Sequence, residues 1–138
     1  MVISKVWSTF HVAQDRAVAA FSGAKHAEAA KADELDGLLL ERGRERESRL
    51  AALDGRIEPA TLTLMDLIAR TLDNRIERVR RELEALTAQA EPLRAALVEA
   101  TAKVKAIEAL EERRGAERAQ AEARAEQARL DELRPRMA

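Results

Sequence analysis

A chain of 138 residues is one domain's worth of sequence, yet with two Phe, one Trp and no Tyr it lacks the rings that usually fill a globular core of that size. Its 24 basic and 25 acidic residues leave a net charge of −1, which argues against a nucleic-acid partner, since phosphate binding needs a basic excess on one face. There is no cysteine, hence no disulfide framework and no thiolate metal site; the apolar share is mostly Ala and Leu, a composition of long helices with a narrow seam.

The chain starts with Met1 to Phe10, a run broken by Ser4, Lys5, Ser8 and Thr9. It is too short and too polar for a signal peptide or a membrane span, so no direct membrane insertion is expected and the protein reads as cytoplasmic. A first helix is predicted over about residues 3–56. Its apolar stripe alternates steps of three and four through Ile3, Val6, Phe10, Ala13, Ala17, Ala20, Ala24 and Ala27. The stripe is expected to slip in phase between Lys31 and Arg49, a stretch weakened by Gly37 and Gly43, and to resume at Leu50, Leu53 and Ile57.

Gly55 followed by Pro59 is the pattern of a helix end and a helix start placed together, so the chain is expected to reverse over about residues 57–60. A second helix is predicted over about residues 61–134, closed by Pro135. Its seam runs in phase from Leu62, Met65, Ala69 and Leu72 to Val104 and Ile107, about six heptads. Pro92 falls off that seam without resetting it, which predicts a kink near 92 and not a turn. The expected fold is all-α: a single coiled-coil hairpin over 1–138, its two long helices antiparallel, with residue i near residue 117 − i. Beyond about residue 114 the second helix has no partner, and its large apolar seam residues stop there too. The tail Gly115 to Leu133 is therefore expected to be a C-terminal overhang, a single exposed helix or one ordered on binding.

Nothing in the sequence favours an enzyme. His11 and His26 have no carboxylate arranged around them and read as exposed helix histidines. No phosphate loop, nucleophile elbow or paired-histidine zinc motif occurs, so no catalytic residue, cofactor or metal is expected. Acidic and basic residues such as Glu77 and Arg81 alternate one turn apart, as surface ion pairs do. Two features exceed what a plain coiled coil needs. Leu38, Leu39 and Leu40 are consecutive, and Leu64, Leu67 and Ile68 lie off the seam; together they form a candidate apolar docking patch. The overhang is densely charged with both signs and suits capture by a partner.

The run from Glu91 through Lys105-Ala-Ile-Glu-Ala-Leu-Glu-Glu-Arg113, continuing through Arg118 to the close at Leu130-Asp-Glu132, resembles the flagellar export protein FliJ family. The similarity covers about residues 72–133. It implies a two-helix coiled coil like the stalk subunit of rotary ATPases, acting as a non-enzymatic part of the flagellar type III export apparatus at the inner membrane. The partners it implies are the export ATPase hexamer, the cytoplasmic domain of the export gate, and export chaperones. Carried onto this chain, the ATPase-facing end would be Ile3 to Phe10 with Ile107 to Arg118, represented by Val6, Trp7, Phe10, Ile107, Leu110, Arg114 and Arg118. Gate or chaperone contacts would fall on the stem and at the off-seam apolar residues. Two alternatives stay open: the related injectisome stalk proteins of the YscO type, and a coiled-coil adaptor or chaperone-like hairpin outside secretion.

Overall fold

The computed structural model describes the backbone of residues 2–137 and the side chains of residues 5–134. The expected seam residue Ile3 and the expected helix stop Pro135 have side chains outside that range. Two helices account for the fold: α1, Val2–Leu53, and α2, Pro59–Met137. They pack against each other as an all-α hairpin, and no strand occurs among the described residues. Neighbour relations divide the chain into two compact units, Met1–Arg16 with Leu97–Ala138, and Ala17–Ala96.

The reversal lies in the second of these units. α1 closes with Gly55 N–H donating to the Ala52 carbonyl at 3.2 Å. Gly55 does not take a positive φ, so the corner uses no left-handed glycine. α2 opens with Leu62 N–H donating to the Glu58 carbonyl at 3.1 Å. Pro59 is thus the first helical residue, the place where a missing N–H costs no intrahelical bond. The Thr63 hydroxyl donates back to the Pro59 carbonyl at 3.0 Å.

The predicted α2 seam of this unit points inward throughout. Ala69, Leu72, Ile76, Val79 and Ala90 are buried, and Leu62, Met65, Leu83, Leu86 and Leu93 are half-buried. Leu38 joins Leu72, Ile76 and Val79 in the core, with Leu35 against it. Pro92 is exposed inside a continuous helix. The helices run antiparallel: Lys31 pairs with Glu82, Arg42 with Asp73, and Arg49 with Asp66. Residue n of α1 therefore stands within about two residues of 115 − n, a slightly tighter register than expected.

The α1 stripe departs from expectation. Ala20 and Ala27 are exposed, while Phe21 and Glu28 turn toward α2. The slip expected between Lys31 and Arg49 does not occur. Steps of four and three continue through Glu28, Lys31, Leu35, Leu38, Arg42, Glu45, Arg49 and Ala52, all of them partly or fully buried. Leu50 and Leu53, where the stripe was expected to resume, are 61% and 56% exposed. The physical reason is that long charged side chains hold the seam: their stems lie on apolar surface, while Lys31, Arg42 and Arg49 reach carboxylates of the facing helix and Glu28 and Glu45 pair within α1.

In the other unit, Val104 is buried and Leu97, Ala100 and Ile107 are half-buried on α2. Val6, Phe10 and Gln14 turn inward on α1, and Ala13 is exposed. Gln14 Nε2 donates to Thr101 Oγ1 at 3.4 Å. From Glu108 to Arg134 every described side chain of α2 is exposed, so the second helix outruns the first as a bare helix.

Candidate protein-binding surfaces

The two groups of sequence-predicted residues fall in different units. In the unit carrying both chain ends, the first turns of α1 place Val6 and Phe10 half-buried, and α2 supplies half-buried Ile107. Trp7, 39% exposed, lies one helical turn from His11, and their rings approach to 4.0 Å between centroids at 46°. His11 is a correction to the sequence reading: it is half-buried, its Nε2 has no hydrogen-bond partner, and Glu108 Oε1 stands 3.8 Å away. That separation is too long for a hydrogen bond. His26 is exposed as expected. Leu110, Arg114 and Arg118 continue along α2 on exposed helix. An apolar groove of about 370 Å³ opens on the same unit, lined by Leu97, Val98, Thr101, Ala102 and Lys105.

In the unit carrying the reversal, Leu39, Leu40, Leu64, Leu67 and Ile68 are exposed. Leu38 is a correction: at 3% exposure it belongs to the core and leaves the surface patch. Leu64, Leu67, Ile68 and Thr71 fall at helical spacing, so they share one exposed face of α2. The sequence reading missed Leu50 and Leu53 as surface residues. The signal that identifies them is the phase of Leu35 and Leu38, which carries forward to Arg49 and Ala52.

Ion pairs also line the exposed faces of the unit that carries the reversal. Lys31 Nζ lies 2.7 Å from Glu82 and 3.0 Å from Glu34. The hydrogen bond to Glu82, then that to Glu34, raises the Lys31 pKa above its ordinary value. The bond from Lys31 holds the Glu82 carboxyl below its own. Arg42 reaches Asp73 at 2.8 Å and also holds Glu45 within its own helix. Glu91 is lowered by its hydrogen bond from Arg94, one turn along α2. These pairs join charges of opposite sign within one turn of a helix or across the two helices.

No described helix is long and apolar enough to cross a membrane. The family model of the flagellar FliJ protein matches residues 4–138, essentially the whole chain. The chain belongs to the FliJ family. A FliJ-family protein is a non-enzymatic component of flagellar type III protein export, and the helical hairpin described above suits that role. Comparison with curated proteins found no match, and comparison with solved structures found none either.

Proposed function

We propose that this FliJ-family chain is the stalk and coupling component of the flagellar export machine, working in the cytoplasm against the export apparatus at the inner membrane. It would bind the hexameric export ATPase through the end that carries both termini, and stimulate it. The observation that supports this reading is the bare extension of α2 next to the start of α1, in a chain matched to the family over residues 4–138. An asymmetric helix seated in a six-fold ring contacts its subunits unequally. It can thereby favour nucleotide exchange at one subunit over the next, through differential contact energy and without touching ATP. Export-gate and chaperone contacts are assigned to the exposed apolar residues Leu39, Leu40, Leu64, Leu67 and Ile68.

Val6, Trp7, Phe10, Ile107 and Leu110 shape the ring-facing end, and Arg114 and Arg118 supply its charge. Both arginines are exposed, so Arg114→Ala with Arg118→Ala should leave helicity unchanged. The expected loss in ring affinity is about tenfold, the equivalent of ~1.4 kcal/mol for the two charge contacts together. ATPase stimulation measured against ring concentration checks it. Parental stimulation by the double variant would place the ring contact elsewhere.

A further inference from the structure

Beyond Ile107 the hairpin seam of α2 turns charged, with Glu111, Arg114 and Arg118 at its next positions. A different face of the same helix carries a second stripe. Val98, Ala102, Ala109, Ala116, Leu130 and Leu133 lie on one line of alternating four- and three-residue steps, and Ala119 and Ala123 fill the steps between. Only Lys105, Glu112 and Glu126 interrupt that line. Every one of these residues is exposed, and the line starts in the apolar groove at Val98 and Ala102. About five heptads of apolar spacing with no partner among the described residues describe a coiled-coil face awaiting a helix.

Charge decides which helix. Laid antiparallel on a second copy of itself, with the two-fold axis between Glu117 and Arg118, the stripe sets Ala102 opposite Leu133 and Lys105 opposite Leu130, one turn from the copy's Glu126. Ala116 then faces Ala119, so small residues meet at the centre and the leucines enter the groove at each end. In this register the flanking positions bring Glu108 beside Arg129 of the second copy, and Glu99 beside its Arg134, twice each by symmetry. The remaining flanking pairs, such as Arg113 with Gln120, hold no like charges. Sliding the register by one heptad toward the groove brings Glu108 against Glu122 and Arg113 against itself. Sliding it one heptad the other way sets Glu122 against Glu122. We infer that this face of α2 is a self-complementary surface through which two copies of the chain pair antiparallel over residues 102–133. The stripe lies on another face of the helix from Arg114 and Arg118, so the inference does not rest on the ring contact.

Light scattering on the eluted full-length chain, over a range of concentrations, reads the pairing directly. A concentration-dependent rise toward twice the chain mass is expected, lost in Leu130→Glu with Leu133→Glu. Both leucines are about half exposed, so circular dichroism should report an intact fold. Charge exchange tests the register: Glu108→Arg should weaken dimerisation several-fold, and Glu108→Arg with Arg129→Glu should restore it. The chain has no cysteine, so mixing Glu108→Cys with Arg129→Cys chains should give a disulfide-linked heterodimer. A chain that stays monomeric to about 1 mM overturns the inference, since a coiled coil of this length that weak is no interface. Preferential cross-linking of Ala109→Cys to itself, the mark of a parallel pair because that stripe position meets its own copy only when the helices run the same way, overturns it as well.

Discussion

Leu38 and Leu40 are two residues apart and differ in everything that matters for stability. Leu38 sits with Leu72, Ile76 and Val79 in the core, and Leu40 faces solvent. Leu38→Ala should cost about 2–5 kcal/mol, as core truncations do. Leu40→Ala should stay within about 0.5 kcal/mol. Thermal unfolding of the two variants checks the pair, and equal costs would refute the assigned helix phase. The glycines give the opposite sign. Gly37 and Gly43 lie inside α1 with nothing within 4 Å of an added Cβ, so alanine meets no clash. Each Gly→Ala change should raise stability by up to about 1 kcal/mol through helix propensity alone, measured by denaturant midpoint. Leu38 could not be picked out from three consecutive leucines by hydropathy, because all three are equally apolar. What picks it out is spacing from Leu35 and Arg42, and an arginine does not advertise itself as a seam residue.

The same difficulty explains how the helices compare with expectation. α2 was legible residue by residue, since its seam from Leu62 to Ile107 is apolar at every step and every one of those positions is at least half-buried. α1 was legible only in part. Its seam holds Gln14, Glu28, Lys31, Arg42, Glu45 and Arg49, so a search for apolar residues finds gaps and reads them as a lost phase. These charges lie against α2 because each head has a partner there or in its own helix. The consequence is a measurable dependence on solution conditions. The Glu82 and Glu91 carboxyls sit below their ordinary range, so the stability they contribute is present above the unfolded-state pKa and is lost as pH falls through the folded one. Lys31 is raised, so its share is present below its unfolded-state pKa and is lost as pH rises through the folded one, in strong alkali. Stability should therefore fall at both extremes. Because these groups are solvent-reached, added salt should flatten the curve, and urea melts across pH at low and high salt check it. Pro92 is a further test of α2. It lies exposed within the helix and leaves one backbone carbonyl without its intrahelical donor, so Pro92→Ala should stabilise the chain by up to ~3 kcal/mol.

For the molecule as a whole, the hairpin and its unequal arms follow from two facts of the sequence: one glycine–proline corner, and apolar seam residues that stop near Ile107. The binding surfaces were less legible. A contact surface on a helix differs from a solvated face only by which partner meets it, and neither Trp7 nor Leu64 carries that information in its identity. At concentrations too low for two copies to pair, truncation after Glu112 should leave the unfolding midpoint of the hairpin within about 1 °C, since it removes no side chain that is buried among the described residues, while ellipticity falls in proportion to the helix removed.

The bare stretch of α2 has one more outcome. Backbone amides near Val79 are shielded by two packed helices and open only with the hairpin, whereas those past Leu110 depend on local helix propensity. In deuterated solvent, at concentrations too low for two copies to pair, the chain should label in two stages, the tail within seconds and the stem over far longer times. Any ligand that covers the tail would announce itself by slowing the first stage alone.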